Sequence, residues 1–290
     1  MLVSAIPTLL IRNIVVATDF TATSELALDY AAAIARHYSS KITLVHAMTA
    51  LDDAEARRVE ASDALIVAEA QLQAEAERCE GVKCDTRLVK GTALQVVEQI
   101  LALEDTDLLV VGTHGKKGLR RFLVGSMAEQ IFRHVRCPVL VIGPWVRVFA
   151  DWKPKRILLA SDLQSDESKT LDYAIAFAAE HNAELSLLHV TSPAAAPFPE
   201  DTEVFLRPYF ESRLRKLLPY GLEWEQPVNF LVEFGHDPVT ETIDLLKEQD
   251  MNLLILSVHP GEPWTTHLHH DSYRMVAEAP CPVLVVQRRF

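Results

Sequence analysis

Gly112, Gly115, Gly125 and Ser126 punctuate a segment that leads from the apolar run Leu108 to Val111 to a helical pattern starting near Met127. Glycines at such points leave main-chain N–H groups bare, and the helix start that follows adds oriented donors and a partial positive charge. The chemistry expected of this loop is the capture of a polyphosphate. Two residues separate Gly112 from Gly115, and 125 − 115 − 1 = 9 separate Gly115 from Gly125. This is neither the Walker pattern, which closes on Gly-Lys-Ser/Thr, nor the tight dinucleotide fingerprint. Lys116, Lys117, Arg120 and Arg121 lie inside the loop, as phosphate contacts or as ordinary solvated charge. His114 sits between two of the glycines without a partner that would make it catalytic. Ser126 fits a helix N-cap as well as a phosphate ligand, and one hydroxyl can serve both.

The loop needs a scaffold, and the chain supplies it as short β-branched runs alternating with longer helical patterns, the mark of βαβ units and a buried parallel sheet. Strands are expected at approximately 13–18, 42–47, 84–89, 107–112 and 138–142, with helices at approximately 22–38, 54–80, 93–104 and 126–135. Leu26, Tyr30, Ala33 and Ile34 share one face of the first helix; Gly81 suits a helix stop and Gly91 a hinge. Asp19 closes the first strand and the glycine loop follows the fourth. In an open parallel sheet both can meet in the crevice beyond the strands' carboxyl ends. Asp19 also suits the N-cap of a helix beginning near Thr21.

The second half repeats the first. Asn13-Ile-Val-Val-Ala-Thr-Asp19 is answered by Arg156-Ile-Leu-Leu-Ala-Ser-Asp162, an offset of 162 − 19 = 143, and Cys137-Pro-Val-Leu-Val by Cys281-Pro-Val-Leu-Val, an offset of 281 − 137 = 144. Between the copies, Trp145, Phe149 and Trp152 form an aromatic linker expected to pack down, so that the two domains form one rigid body.

The pattern Gly-x2-Gly-x9-Gly-Ser, the strand Ile14 to Thr18 closed by Asp19, the strand ending at His46 and Ala47, and the terminal strand Pro138 to Ile142 together resemble the universal stress protein family. The resemblance covers nearly the whole chain in two copies, and only the first carries the full ATP-binding signature. It implies two tandem three-layer α/β/α domains, adenine-nucleotide alpha-hydrolase-like, each with a five-stranded mainly parallel sheet, at 1–146 and 154–290. It also implies that Asp19 holds the nucleoside and that Ala47 meets adenine through its backbone. Ala17 would line the base pocket, and Gly112, Gly115, Gly125 and Ser126 would bind the phosphates of ATP, with or without magnesium. Members pair through the terminal strand. The copies are therefore expected to pair within the chain, with a homodimer also plausible.

The second copy departs at the loop. Ser257 replaces Gly112 and Pro260 replaces Gly115, while His269 and His270 replace Gly125 and Ser126, so side chains occupy the sites where backbone must approach phosphate. Asp162 and Val190 persist at the nucleoside positions, and one ATP per chain is expected. His259, His267, His269, His270 and Asp271, with His236 nearby, offer ligands suited to zinc, or polar filler of a loop without a tetrahedral template.

Composition bounds the rest. The 290 residues, 49% hydrophobic, can fill two cores, and 28 Lys and Arg against 40 Asp and Glu leave a net charge of −12, which opposes nucleic-acid binding. Four cysteines make no disulfide scaffold and read as reduced thiols. The apolar stretch Met1 to Leu10 lacks basic residues and is broken by Pro7, and no run approaches the roughly 18 apolar residues of a membrane span. A cytoplasmic protein is expected. The leading functional reading is an ATP-binding protein with a regulatory or protective role in stress, without clear hydrolytic apparatus. The rivals are a nucleotide-processing enzyme with slow ATP hydrolysis, and a binder of metal or a small molecule through the His-rich second copy.

Overall fold

The computed structural model describes residues 6–48, 57–113, 131, 135–147, 152–163, 167–192, 202–220, 222, 226–258 and 267–287. Its contacts divide the chain into two units, the bulk of one being Leu10–Pro144 and of the other Lys153–Phe290.

The first unit runs β1 (Asn13–Thr18), α1 (Ala22–Tyr38), β2 (Lys41–Met48), α2 (Arg57–Glu77), β3 (Cys84–Lys90), α3 (Ala93–Leu103), β4 (Leu108–Gly112) and β5 (Val139–Ile142). The strands lie in the order β3-β2-β1-β4-β5 and every pairing is parallel. The second unit runs β6 (Arg156–Ala160), α4 (Ser168–His181), β7 (Glu184–Thr191), α5 (Thr202–Arg215), β8 (Val228–Phe234), α6 (Pro238–Glu248), β9 (Leu253–Val258), α7 (His267–Glu278) and β10 (Val283–Gln287). Its order, β10-β9-β6-β7-β8, is again parallel throughout.

The inner strands form because their residues are apolar on both faces, whereas the edge strands β3 and β8 mix polar residues and are only partly buried. Ile14, Val15 and Val16 are all buried, as are Ile157, Leu158 and Leu159, so each sheet is covered above and below and each unit has three layers. The helix α1 starts at a capping box in which Thr21 and Ser24 satisfy each other's backbone N–H groups, and it stops at Ser39 in the left-handed region, φ 56°. Its burial is wider than the face expected from the sequence. Leu26 is only half-buried, whereas Ala27, Leu28, Ala31 and Ala32 are buried with Tyr30, Ala33 and Ile34. The small alanines let the helix sink between the sheet and Trp152, whose indole meets Tyr30 edge to face at 5.4 Å. Gly81, φ +75°, ends the turn after α2, and Gly91, φ +145°, sits at the entry to α3. Trp145 is exposed, so only part of the aromatic linker packs down; Phe149 lies outside the described residues.

The repeat is written in hydrogen bonds as well as residues. Asp107 Oδ2 accepts from the backbone N–H groups of Arg12 and Asn13 at 2.8 and 2.9 Å. In the second unit Asn252 Oδ1 accepts from those of Lys155 and Arg156 at 2.8 and 3.0 Å. A short side chain ahead of the fourth strand fixes the start of the first strand in both copies.

Candidate functional site

The strand β1 is the pivot of the first sheet. It pairs β2 on one side, with Thr18 opposite His46, and β4 on the other, with Ala17 opposite Val111. The chain builds outward to β3 and then returns to the far side of β1, so the order reverses between β1 and β4, where such sheets open a crevice. Ala17, Asp19, Ala47 and Gly112 are thereby brought to the same end of the sheet. Ala17, Ala47 and Gly112 are half-buried and Asp19 is exposed, whereas Val16, Val45 and Val110 below them are buried. Gly115, Gly125 and Ser126 lie outside the described residues, as do His114, Lys116, Lys117, Arg120 and Arg121.

The turn after β1 is held by several bonds. Asp19 Oδ1 accepts from the Thr21 backbone N–H at 3.2 Å and the Thr21 hydroxyl at 2.7 Å. Thr21, not Asp19, is the N-cap of α1; the aspartate instead braces the capping residue from two positions upstream. The Thr18 hydroxyl donates to Ser24 Oγ at 3.1 Å and accepts from the Phe20 N–H at 3.1 Å. Phe20 has φ 60°, a costly conformation for a bulky residue that persists only where neighbours over-determine it. Its ring stacks on His46 with centroids 4.2 Å apart, and His46 Nδ1–H donates to the Thr18 carbonyl at 2.8 Å. An aromatic pair therefore flanks the carboxylate on the side of β2.

Gly112 has a packing reason in addition to the one anticipated. A Cβ there would lie 2.6 Å from the Thr23 carbonyl oxygen and 2.7 Å from the Ser24 nitrogen, so the first turn of α1 rests directly on the end of β4. This close approach brings the helix start to the crevice.

A second carboxyl enters from α2. Glu75 is only 7% exposed, is hydrogen-bonded to the Thr18 side chain, and has one oxygen, Oε2, with no hydrogen-bond partner among the described residues. Burial pushes its pKa above the ordinary glutamate value, and the nearby negative charges of Glu25 and Asp19 push it the same way. Glu75, Thr18, Ser24 and Phe20 were missed in the sequence. Glu75 carried a signal nonetheless: Ala68, Leu72, Glu75 and Cys79 recur at intervals of four, three and four, so an acid occupies the buried stripe of α2.

The second copy keeps the frame and changes the contents. Leu163 has φ 57°, its N–H donates to Ser161 Oγ at 3.1 Å, and His189 Nδ1–H donates to the Ser161 carbonyl at 2.9 Å. Glu167, however, stands where the first copy has Ser24, since 167 − 24 = 143. It is 3% exposed, and its carboxylate accepts from Ser161 Oγ at 2.5 Å and Ser257 Oγ at 3.3 Å. The serine that replaces Gly112 is thus tied by a buried acid to the end of β6. From α5, where the first copy supplies Glu75 from α2, the Arg213 guanidinium donates to the Leu163 carbonyl. Burial lowers the pKa of His189, whose ring lies 4.6 Å from that of Phe210.

His259 lies outside the described residues. His267, His269, His270 and Asp271 fall on α7 rather than on a loop, because the helix begins at His267. Among the described residues no cluster of three or more His, Cys, Asp or Glu side chains is arranged to hold a metal, and no helix is long and apolar enough to cross a membrane.

A parallel sheet whose strand order reverses at its first strand, with an aspartate just beyond that strand, defines a doubly wound α/β fold, present twice. Comparison with known proteins gives the class its name. The profile of the Universal stress protein family matches residues 10–143 and 153–287, and the chain belongs to that family. A Universal stress protein of Methanocaldococcus jannaschii is 40% identical over 62 residues, 21% of this chain and 36% of that protein. A Staphylococcus aureus relative of the same family is 32% identical over 155 residues, 50% of this chain and 90% of its own length. Among solved structures, a universal stress protein from Archaeoglobus fulgidus shares the fold over 96% of this chain and 98% of its own, with a TM-score of 0.67 at 19% identity. A universal stress protein described in complex with cAMP covers 45% of this chain and 96% of its own at 25% identity, with a TM-score of 0.38.

Proposed function

We propose that this chain is an ATP-binding universal stress protein of the cytoplasm with a regulatory or protective role, divided near 1–146 and 154–290, and that its first domain holds the nucleotide. The observation that carries this reading is the juxtaposition of Asp19 and Gly112 at the reversal point between β1 and β4, with α1 starting against Gly112. Asp19 would accept from nucleoside hydroxyls, Ala17 and Ala47 would border the base, and Gly112 opens the segment whose Gly115, Gly125 and Ser126 would take the phosphates. Magnesium would accompany the phosphates. In the second domain, Ser257 and Glu167 put side chains into the corresponding place.

Titration calorimetry with ATP tests this: one equivalent per chain is expected, and two equivalents or none would sink it. Gly115→Val should weaken binding at least tenfold, about 1.4 kcal/mol, by setting a branched side chain against the polyphosphate. A turnover assay with magnesium separates a binding protein from an enzyme, because rates on the order of 1 per second belong to enzymes.

A further inference from the structure

The buried stripe of α2 continues one turn past Glu75 to Cys79, which is 4% exposed. The chain then turns: Cys79 N–H donates to the Ala76 carbonyl at 3.1 Å and Val82 N–H to the Cys79 carbonyl at 3.0 Å. Gly81 takes φ +75° with nothing within 4 Å of the position a Cβ would occupy, and β3 begins at the half-buried Cys84, paired with Ile42 of β2. The turn brings the two thiols into hydrogen-bond contact with each other, and neither is in a disulfide. We infer that Cys79 and Cys84 are a peroxide-reactive dithiol that closes to an intramolecular disulfide across the α2–β3 turn.

The surroundings assign the two sulfurs different parts. The Cys84 thiol donates to Cys79, and the Arg36 and Arg78 guanidiniums favour a negative sulfur, so the Cys79 pKa falls below the ordinary thiol value although burial and the Asp29 carboxylate oppose this. Cys84, whose proton is held by Cys79 and whose sulfur is partly buried, moves the other way. Arg36 also ties down the turn, with Nε–H donating to the Glu80 carbonyl at 3.3 Å. The Cys79 thiolate attacks one oxygen of hydrogen peroxide and the O–O bond breaks. Cys79 becomes a sulfenic acid, and the departing hydroxide takes up a proton as water. The Cys84 sulfur then attacks the Cys79 sulfur, the S–O bond breaks, and the leaving hydroxide carries off the Cys84 proton as a second water. Two thiols lose two electrons and one peroxide gains them. Forming an S–S bond of about 2.05 Å needs the sulfurs to close up from their hydrogen bond. Cys281 offers an internal contrast, since burial raises its thiol to about 12.

The test is peptide mass mapping of the reduced full chain after graded hydrogen peroxide and rapid alkylation. The expected product is a peptide containing Cys79 and Cys84, lighter by two hydrogens, restored by dithiothreitol, and formed at least about tenfold faster than any oxidation of Cys281. Cys84→Ser should leave a sulfenic acid at Cys79 that dimedone traps. The inference is overturned if both thiols stay alkylatable after Cys281 has reacted, or if they yield only sulfonic acids or links between chains. The wild-type mapping decides the matter even if the serine variant folds poorly.

Discussion

At the scale of single residues the crevice is governed by where charge is allowed to sit. Glu75 is sequestered against Thr18 with Glu25 and Asp19 nearby, so its charged form is penalised and its pKa lies above 4.5. The native state therefore holds the proton more tightly than the unfolded chain. The stability this contributes is complete below the ordinary glutamate value and is lost as the pH rises through the raised one. Glu75→Gln, which cannot ionise, is expected to be less pH-dependent than the parent. Its stability relative to wild type should climb as the pH rises above the ordinary glutamate value in urea unfolding, and a pH-independent difference would contradict the assignment. Asp19 and Gly112 could be picked out in the sequence because strand ends and glycine spacing are local features. Thr18, Ser24 and Phe20 could not, because a threonine, a serine and a phenylalanine near a helix start look ordinary until α1 is seen resting on β4. The left-handed φ of Phe20 and Leu163 has no marker in either residue type, since Gly or Asn is the usual occupant.

At the scale of elements the inner strands are legible because β-branched apolar runs are buried on both faces, and expected and observed strand limits in the first copy agree within two residues, as in Lys41–Met48. Helix α1 lies where it is expected, Ala22–Tyr38 against 22–38, whereas α2 ends at Glu77, three residues short of the expected 80. The helix α1 stops at Ser39 with φ 56° and α4 at Asn182 with φ 51°, positions that glycine occupies without a Cβ penalty. Ser39→Gly should raise stability by roughly 0.5–1 kcal/mol in chemical denaturation. Asn182→Gly should gain less, because Asn182 Oδ1 accepts from Gln226 Nε2 at 2.8 Å and that bond would be lost. The join of α6 to α7 is electrostatic. Arg274 donates with both terminal nitrogens to the two oxygens of Asp237, each at 2.9 Å, and Asp237 also caps α6. The guanidinium holds the Asp237 carboxyl down at about 2. A lowered carboxylate stabilises above its unfolded value, ordinarily 3.8, and this is lost as pH falls toward about 2. The pair is partly exposed, so Arg274→Gln should cost only about 1 kcal/mol at neutral pH, and the deficit should vanish near pH 2 if this fork is its origin.

At the scale of the whole molecule one architecture carries two differently furnished strand-end crevices. Both copies keep the histidine bonded to a carbonyl at the end of the first strand and the left-handed residue two positions further on, which are features of the frame. What differs is the filling: a serine and a glycine beside Asp19 in the first copy, a buried acid clasping two serine hydroxyls beside Asp162 in the second. The loss of glycines at Ser257 and Pro260 could be read from the chain, whereas the clasp could not, because Glu167 and Ser257 lie 90 positions apart. If the frame alone sufficed for nucleotide binding, the two aspartates would be equivalent; if the filling decides, only one should matter. Asp19→Ala removes a charged acceptor and should cost about 1.5–3 kcal/mol of ATP affinity, roughly tenfold to a hundredfold, while Asp162→Ala should leave the titration within about twofold of wild type. Equal losses at the two positions would mean that the second crevice is occupied after all, and that neither Ser257 nor Glu167 excludes the ligand.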